Sequence, residues 1–144
     1  MWECGVRQVQ GELQFQTSGQ GLVEVTGEIA RWVGEQVIEG GLLTVFCRHT
    51  SASLTIQENA DPDVQRDLEN FFKRLVAEDS QLYRHTMEGP DDMPAHIRGA
   101  LTDVSLNIPV SGGRMVLGTW QGVYLFEHRH HPHTRKLALH LMGD

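Results

Sequence analysis

Apolar residues recur at two different spacings along this chain, and each change of spacing marks an element. In residues 6–16, VRQVQGELQFQ, Val9, Leu13 and Phe15 stand among polar neighbours, an imperfect alternation that predicts a strand. TSGQG follows as a turn. In VTGEIARWVGEQVIEGG the spacing lengthens. Ile29, Trp32, Val33 and Val37 fall on one helical face, with Thr26 as N-cap and Gly40-Gly41 as the stop. LLTVFCRH, residues 42–49, is continuously apolar and rich in β-formers, which predicts a strand buried on both faces. SASLTIQEN, residues 51–59, predicts a second strand.

The next helix is the clearest element. Asp61 can cap it, Pro62 suits its first position, and Asp63 favours the positive end of the helix dipole. Val64, Leu68, Phe71, Phe72 and Leu75 form its buried stripe, and Lys73 and Arg74 lie late, where cations are favoured. Residues 79–93, DSQLYRHTMEGPDDM, form a polar loop of a length that often serves function. Pro94 then opens a short helix, PAHIRGALTD. The remainder reads as β: SLNIPV, a Gly112-Gly113 turn, RMVLGTWQGVYLFEHR, a His-rich turn and RKLALHLM. Gly118 and Gly122 inside the long run indicate a bend, a bulge or a close backbone approach. About seven mostly antiparallel strands with three flanking helices, and no linker or repeat, predict a single α+β domain over residues 1–144, built as a β-sandwich.

Composition narrows the function classes. At 144 residues and 40% apolar content the chain can bury one core without disulfides. The formal net charge of −7 argues against a nucleic-acid partner, which needs a basic face. It leaves room for a phosphorylated ligand, because a bound metal supplies positive charge locally. Cys4 and Cys47 form no CxxC pair and fit a reducing compartment, and Cys47 reads as a small core residue. No apolar run approaches a membrane span and no signal peptide is evident, so the expected location is the cytoplasm, with no membrane partner.

Five polar groupings carry chemistry, each with a structural reading beside it. His49-Thr50-Ser51 joins two strands. It is either a tight turn or one wall of a pocket, with His49 as base or ligand and the two hydroxyls donating to a ligand oxygen. Glu58, Asn59 and Asp61 close a strand and open a helix, which explains Asp61 fully, Asn59 adequately and Glu58 least. His85, Glu88, Asp91, Asp92 and His96 are all possible metal ligands, although their spacing matches no standard zinc motif. Asp91 or Asp92 doubles as a cap for the Pro94 helix, and His96 would sit in its first turn, where the dipole disfavours protonation. Thr119, Gln121, Glu127 and Arg129 share parity on the long strand and line either a site or a wet sheet face. His128, His130, His131 and His133 look like a metal tract, but the proline among them favours an exposed turn.

Taken together, HTSASLTIQENADPDV, Tyr83-x-His85, DDMPAHI and LGTWQGVYLFEHR resemble the YjbQ-like family, whose members are often labelled secondary thiamine-phosphate synthase. The resemblance covers roughly residue 8 to the end. It implies a β-sandwich with flanking helices assembled as a homotrimer. By analogy, it also implies a pocket where His49, His85 and His96 converge on a divalent metal, magnesium or zinc-like, with Glu127 and Arg129 opposite. Thr50, Ser51, Glu58, Asn59, Asp91, Asp92, Thr119 and Gln121 would then contact substrate, and His49, Glu127 and Arg129 would be catalytic. The implied reaction joins a pyrimidine diphosphate to a thiazole phosphate and releases pyrophosphate, with Arg129 and Arg135 offsetting the leaving-group charge. An imidazole cluster suits zinc, nickel or iron better than magnesium, which keeps a metal-dependent hydrolase or lyase open. A non-catalytic trimer that binds a metabolite or metal is the third alternative.

Overall fold

A computed structural model describes residues 5–144, and Cys4 lies outside them. The chain runs β1 (Arg7–Thr17), β2 (Gly21–Glu24), α1 (Thr26–Glu35), β3 (Gly40–Cys47), β4 (Ala52–Glu58), α2 (Pro62–Leu75), a 3-10 turn (Ser80–Leu82), α3 (Asp92–Leu101), β5 (Ser105–Ser111), β6 (Arg114–Met115), β7 (Gln121–Glu127) and β8 (His133–Gly143). The strands form two antiparallel sheets, ordered β1-β8-β3-β5-β6 and β2-β7-β4. Leu43, Val45, Ile108, Leu137, Leu139 and Leu141 on the larger sheet meet Leu54, Val123 and Leu125 on the smaller one, and Ile29 and Val33 of α1 close the same core. This is the expected α+β sandwich, with eight strands because the short β2 and β6 are additional. No helix among the described residues is long and apolar enough to cross a membrane.

Several local expectations are corrected by packing. β3 is buried on one face only: Leu43, Val45 and Cys47 point inward while Leu42 and Phe46 remain 44% exposed. Its continuous apolar run therefore conceals an ordinary inward-outward alternation. The first helix stops at Glu35, not at the glycine pair, and Gly40 and Gly41 begin β3. Val37 lies beyond it with φ of 54°, a left-handed conformation that a β-branched residue rarely adopts, and Ile38 takes the buried place. Thr26 does not cap the helix. Its hydroxyl bonds Glu24 and accepts from the Val123 amide, tying α1 to β7.

The second helix is capped as expected, with Asp61 Oδ1 accepting from the Asp63 amide at 2.9 Å. Its apolar stripe is only partly covered, because α2 rests on the outer side of β7 through Phe72 against Phe126, leaving Phe71 and Leu75 about half exposed. The long run from Arg114 breaks into β6 and β7. Gly122 marks a close approach, since a Cβ there would stand 2.7 Å from Glu24 Oε2 and 3.0 Å from Asn59 Cβ.

Candidate functional site

Helix α3 begins at Asp92, two residues before Pro94, and this places Asp92 and His96 four residues apart on one face. His96 consequently lies in the second turn, not the first. The Tyr83–Asp91 loop folds back so that His85 reaches the same point. Asp92 Oδ2 lies 2.6 Å from His85 Nε2 and 3.1 Å from His96 Nε2. The two imidazole rings meet edge-on with centroids 5.4 Å apart. These three side chains offer ligand atoms within 4.8 Å of one another and form the one such metal-binding group among the described residues. Asp92 is buried, whereas the imidazoles are partly open, so the cluster is anchored at its carboxylate and accessible at its nitrogens.

Arg129 supplies the anchor. Its Nη1 donates to Asp92 Oδ1 at 2.6 Å and its Nε to Asp91 Oδ2 at 3.0 Å, while Nη2 bonds the Glu88 carbonyl. Asp91 Oδ2 also accepts from the His130 amide at 2.9 Å, so Asp91 serves the loop rather than capping α3. Burial by itself raises the Asp92 carboxyl's pKa, but the His85 bond and the Arg129 charge outweigh it and hold the group below the ordinary aspartate range. The carboxylate therefore stays ionised, as a metal ligand must.

His96 also lines a cavity of about 260 Å³, together with His49, Thr50 and Gly99. His49 is not within the three-residue cluster. Its Nε2 accepts the Lys136 backbone amide at 2.7 Å. A larger groove of about 710 Å³ lies elsewhere, between α1 and β6 beside Val37 and Met115. It brings no imidazole-carboxylate group together, so volume and chemistry point to different places, and the chemistry decides.

The family model described as UPF0047 protein YjbQ-like matches residues 11–144. The chain belongs to this family. Among its YjbQ-like relatives, UPF0047 protein sll1880 of Synechocystis is 54% identical over 138 residues, covering 96% of this chain and 94% of that one. YjbQ of Escherichia coli O157:H7 is 42% identical over 136 residues, covering 94% and 98%. The crystal structure of a YjbQ/UPF0047 protein from Clostridium acetobutylicum superposes with a TM-score of 0.81 at 34% identity, covering 89% of this chain and 96% of that one. These names state no reaction.

The remaining YjbQ-like motif residues are placed as follows. Glu127 is fully buried and has no bond to the cluster. It takes Arg135 Nε and Nη2 at 2.7 Å each and accepts from Thr17 Oγ1 at 3.0 Å. Arg135 in turn donates to Ser51 Oγ and to the Ser51 carbonyl, so the 49–51 turn is clamped from beneath. Arg129 lies beyond the end of β7, which is why parity with Glu127 does not bring the two together. Glu58 Oε2 accepts the Asp61 amide, Asn59 bonds Glu24, and Gln121 Oε1 accepts the Gly118 amide. Thr119 is exposed in the turn before β7. None of the four bonds the His85–Asp92–His96 cluster, and Glu58 and Gln121 hold local backbone.

The histidine turn divides. His130 bonds Glu78 and His133 contacts the His131 carbonyl. His128 is instead fully buried, 2.8 Å from Ser53 Oγ, and burial pushes its pKa down to about 3. Three buried polar residues carried no sequence motif, Thr17, Ser53 and Arg98. Arg135 had a visible signal: it occupies the same parity of β8 as Leu137, Leu139 and Leu141, where a charge requires a buried partner.

Proposed function

We propose that this protein is a metal-dependent small-molecule enzyme whose centre is His85 Nε2, Asp92 Oδ2 and His96 Nε2. The observation that carries the reading is the approach of those three donors within 4.8 Å beside a cavity. Two imidazoles and one carboxylate match a zinc-like or other transition-metal site with positions left for water or substrate. They suit magnesium poorly, since it prefers oxygen ligands and the adjacent Asp91 is committed to Arg129 and His130. A bound ion of this kind supplies Lewis acidity and an activated water. Arg129 orients Asp92 from behind, as outer-shell groups do at such centres, and the His49–Thr50 wall receives the substrate.

The donor set favours hydrolysis or elimination on a phosphorylated small molecule. The thiamine-phosphate synthase-type condensation suggested by the family resemblance is the second reading, and it draws on the cations near His49. The working form is a cytoplasmic homotrimer, to be checked by light scattering.

The test is metal content per chain, by elemental analysis of protein prepared without a histidine tag. Near-stoichiometric metal, lost in His85→Ala/His96→Ala and kept when His130, His131 and His133 are replaced by alanine, is the expected result. An unaltered chain without metal, or metal lost only with the turn histidines, overturns the reading. Turnover of the two thiamine precursors with zinc and with magnesium then separates the two reactions.

A further inference from the structure

His49 was expected to be the third metal-binding histidine, but its hydrogen bonding assigns it another role. A backbone amide is always a donor, so the Lys136 N–H at 2.7 Å from His49 Nε2 requires that nitrogen to be unprotonated. The neutral ring then carries its hydrogen on Nδ1. The lone pair needed for coordination is already engaged, and what remains to offer is an N–H. Nδ1 has no partner among the described residues, and it is not among the buried polar atoms left unpaired, so it is open to solvent. His49 lines the same cavity as His96, with the exposed Thr50 beside it.

The surroundings select the ligand's charge. The charges that lower the His49 pKa come from basic residues, Arg135 foremost, with Arg48 and Lys136. Arg48 and Arg135 are paired with Glu12 and Glu127, while the Lys136 ammonium has no ion-pair partner among the described residues. Burial first, and then these cations, lower the pKa of His49 and keep the ring in its neutral donor form. In a chain of net charge −7, the Lys136 ammonium is thus the positive charge left to attract an anion near His49.

We infer that His49 is not a metal ligand but the recognition group for an oxyanion of the substrate, presenting Nδ1–H, with Thr50 beside it, in the cavity that His96 also lines. The inference rests on the metal-centre reading for what else the substrate meets in that cavity. Phosphate and carboxylate share this chemistry, so orthophosphate and acetate serve as separate probes.

The experiment is long-range proton–nitrogen NMR of the histidine rings, with zinc content measured on the same samples. In the unaltered protein, His49 should show a protonated Nδ1 and an unprotonated Nε2. Orthophosphate should shift the Nδ1 signal more than acetate if the ligand is a phosphate, and less if it is a carboxylate. His49→Ala should keep its zinc and lose about tenfold or more in affinity for the better probe, the usual scale for a hydrogen bond to a charged group. His49→Asn, which keeps a donor near the position of Nδ1, should recover part of the loss. An unprotonated Nδ1, neither anion shifting His49, unchanged anion affinity in His49→Ala, or zinc lost from that variant each overturns the assignment. The spectrum of the unaltered chain decides even where a variant fails to fold. Absence of zinc from the unaltered chain overturns the metal centre alone, because the tautomer and anion readouts are independent of it.

Discussion

Arg129 holds Asp92 by the oxygen that the histidines do not use: Nη1 meets Oδ1 at 2.6 Å, while Oδ2 faces His85 and His96. One carboxylate therefore links a cation on the β7–β8 connection to two imidazoles on α3 and its preceding loop. Replacing Asp92 with asparagine keeps the shape and removes the charge. Zinc affinity of Asp92→Asn should fall by at least about tenfold, the lower end of what loss of even outer-shell groups produces. Competition with a fluorescent chelator reads this directly, and unchanged affinity would remove Asp92 from the metal site.

Glu127 was expected to be catalytic, yet it is fully buried against Arg135. Glu127→Ala leaves a buried guanidinium without its carboxylate and should destabilise the fold by about 3–5 kcal/mol. Urea unfolding measures this. A variant of normal stability that loses turnover would instead restore Glu127 to the chemistry.

His128 makes stability pH-dependent. Its folded pKa of about 3 lies below the ordinary value of 6.5, so between these values the unfolded chain binds a proton that the folded chain refuses. Stability therefore rises with pH through this window and falls as pH drops below about 6.5. Linkage gives a loss of about 2 kcal/mol between pH 7 and pH 5 from this one group. Urea midpoints at the two pH values should show the loss in the unaltered chain and a shallower dependence in His128→Asn. Equal slopes would place the dependence on other groups.

Gly122 is a strand glycine whose missing side chain is replaced by its neighbours. An added methyl meets Glu24 Oε2 and Asn59, which are themselves bonded to each other at 3.0 Å. Gly122→Ala should lower stability by about 1–3 kcal/mol through displacement of that pair. A thermal melt unchanged from the parent would show that Glu24 and Asn59 rotate away freely.

Much of this molecule is written in local pattern. The alternation of β1, the Asp61-Pro62-Asp63 start of α2, the glycine turns and the crowded Gly122 all follow from short-range rules of propensity, capping and steric room. The pairing of the loop histidine His85 with the helical His96 is half legible. The i,i+4 spacing of Asp92 and His96 is a helical fact, and the motif around it drew attention to the same residues.

What the sequence could not decide is which polar groups face one another. Parity placed Glu127 and Arg129 together, but β7 ends between them. The turn beyond it sends Arg129 to Asp92, while the register of β8 brings Arg135 under Glu127. Three histidines of equal promise were likewise sorted by tertiary contact: a neighbouring strand's amide claimed the Nε2 of His49, and a helix geometry delivered His96 to Asp92. Local pattern determines elements because its forces act within a few residues. A site forms from long-range backbone register and buried charge pairing, which exist only once the sheets have packed.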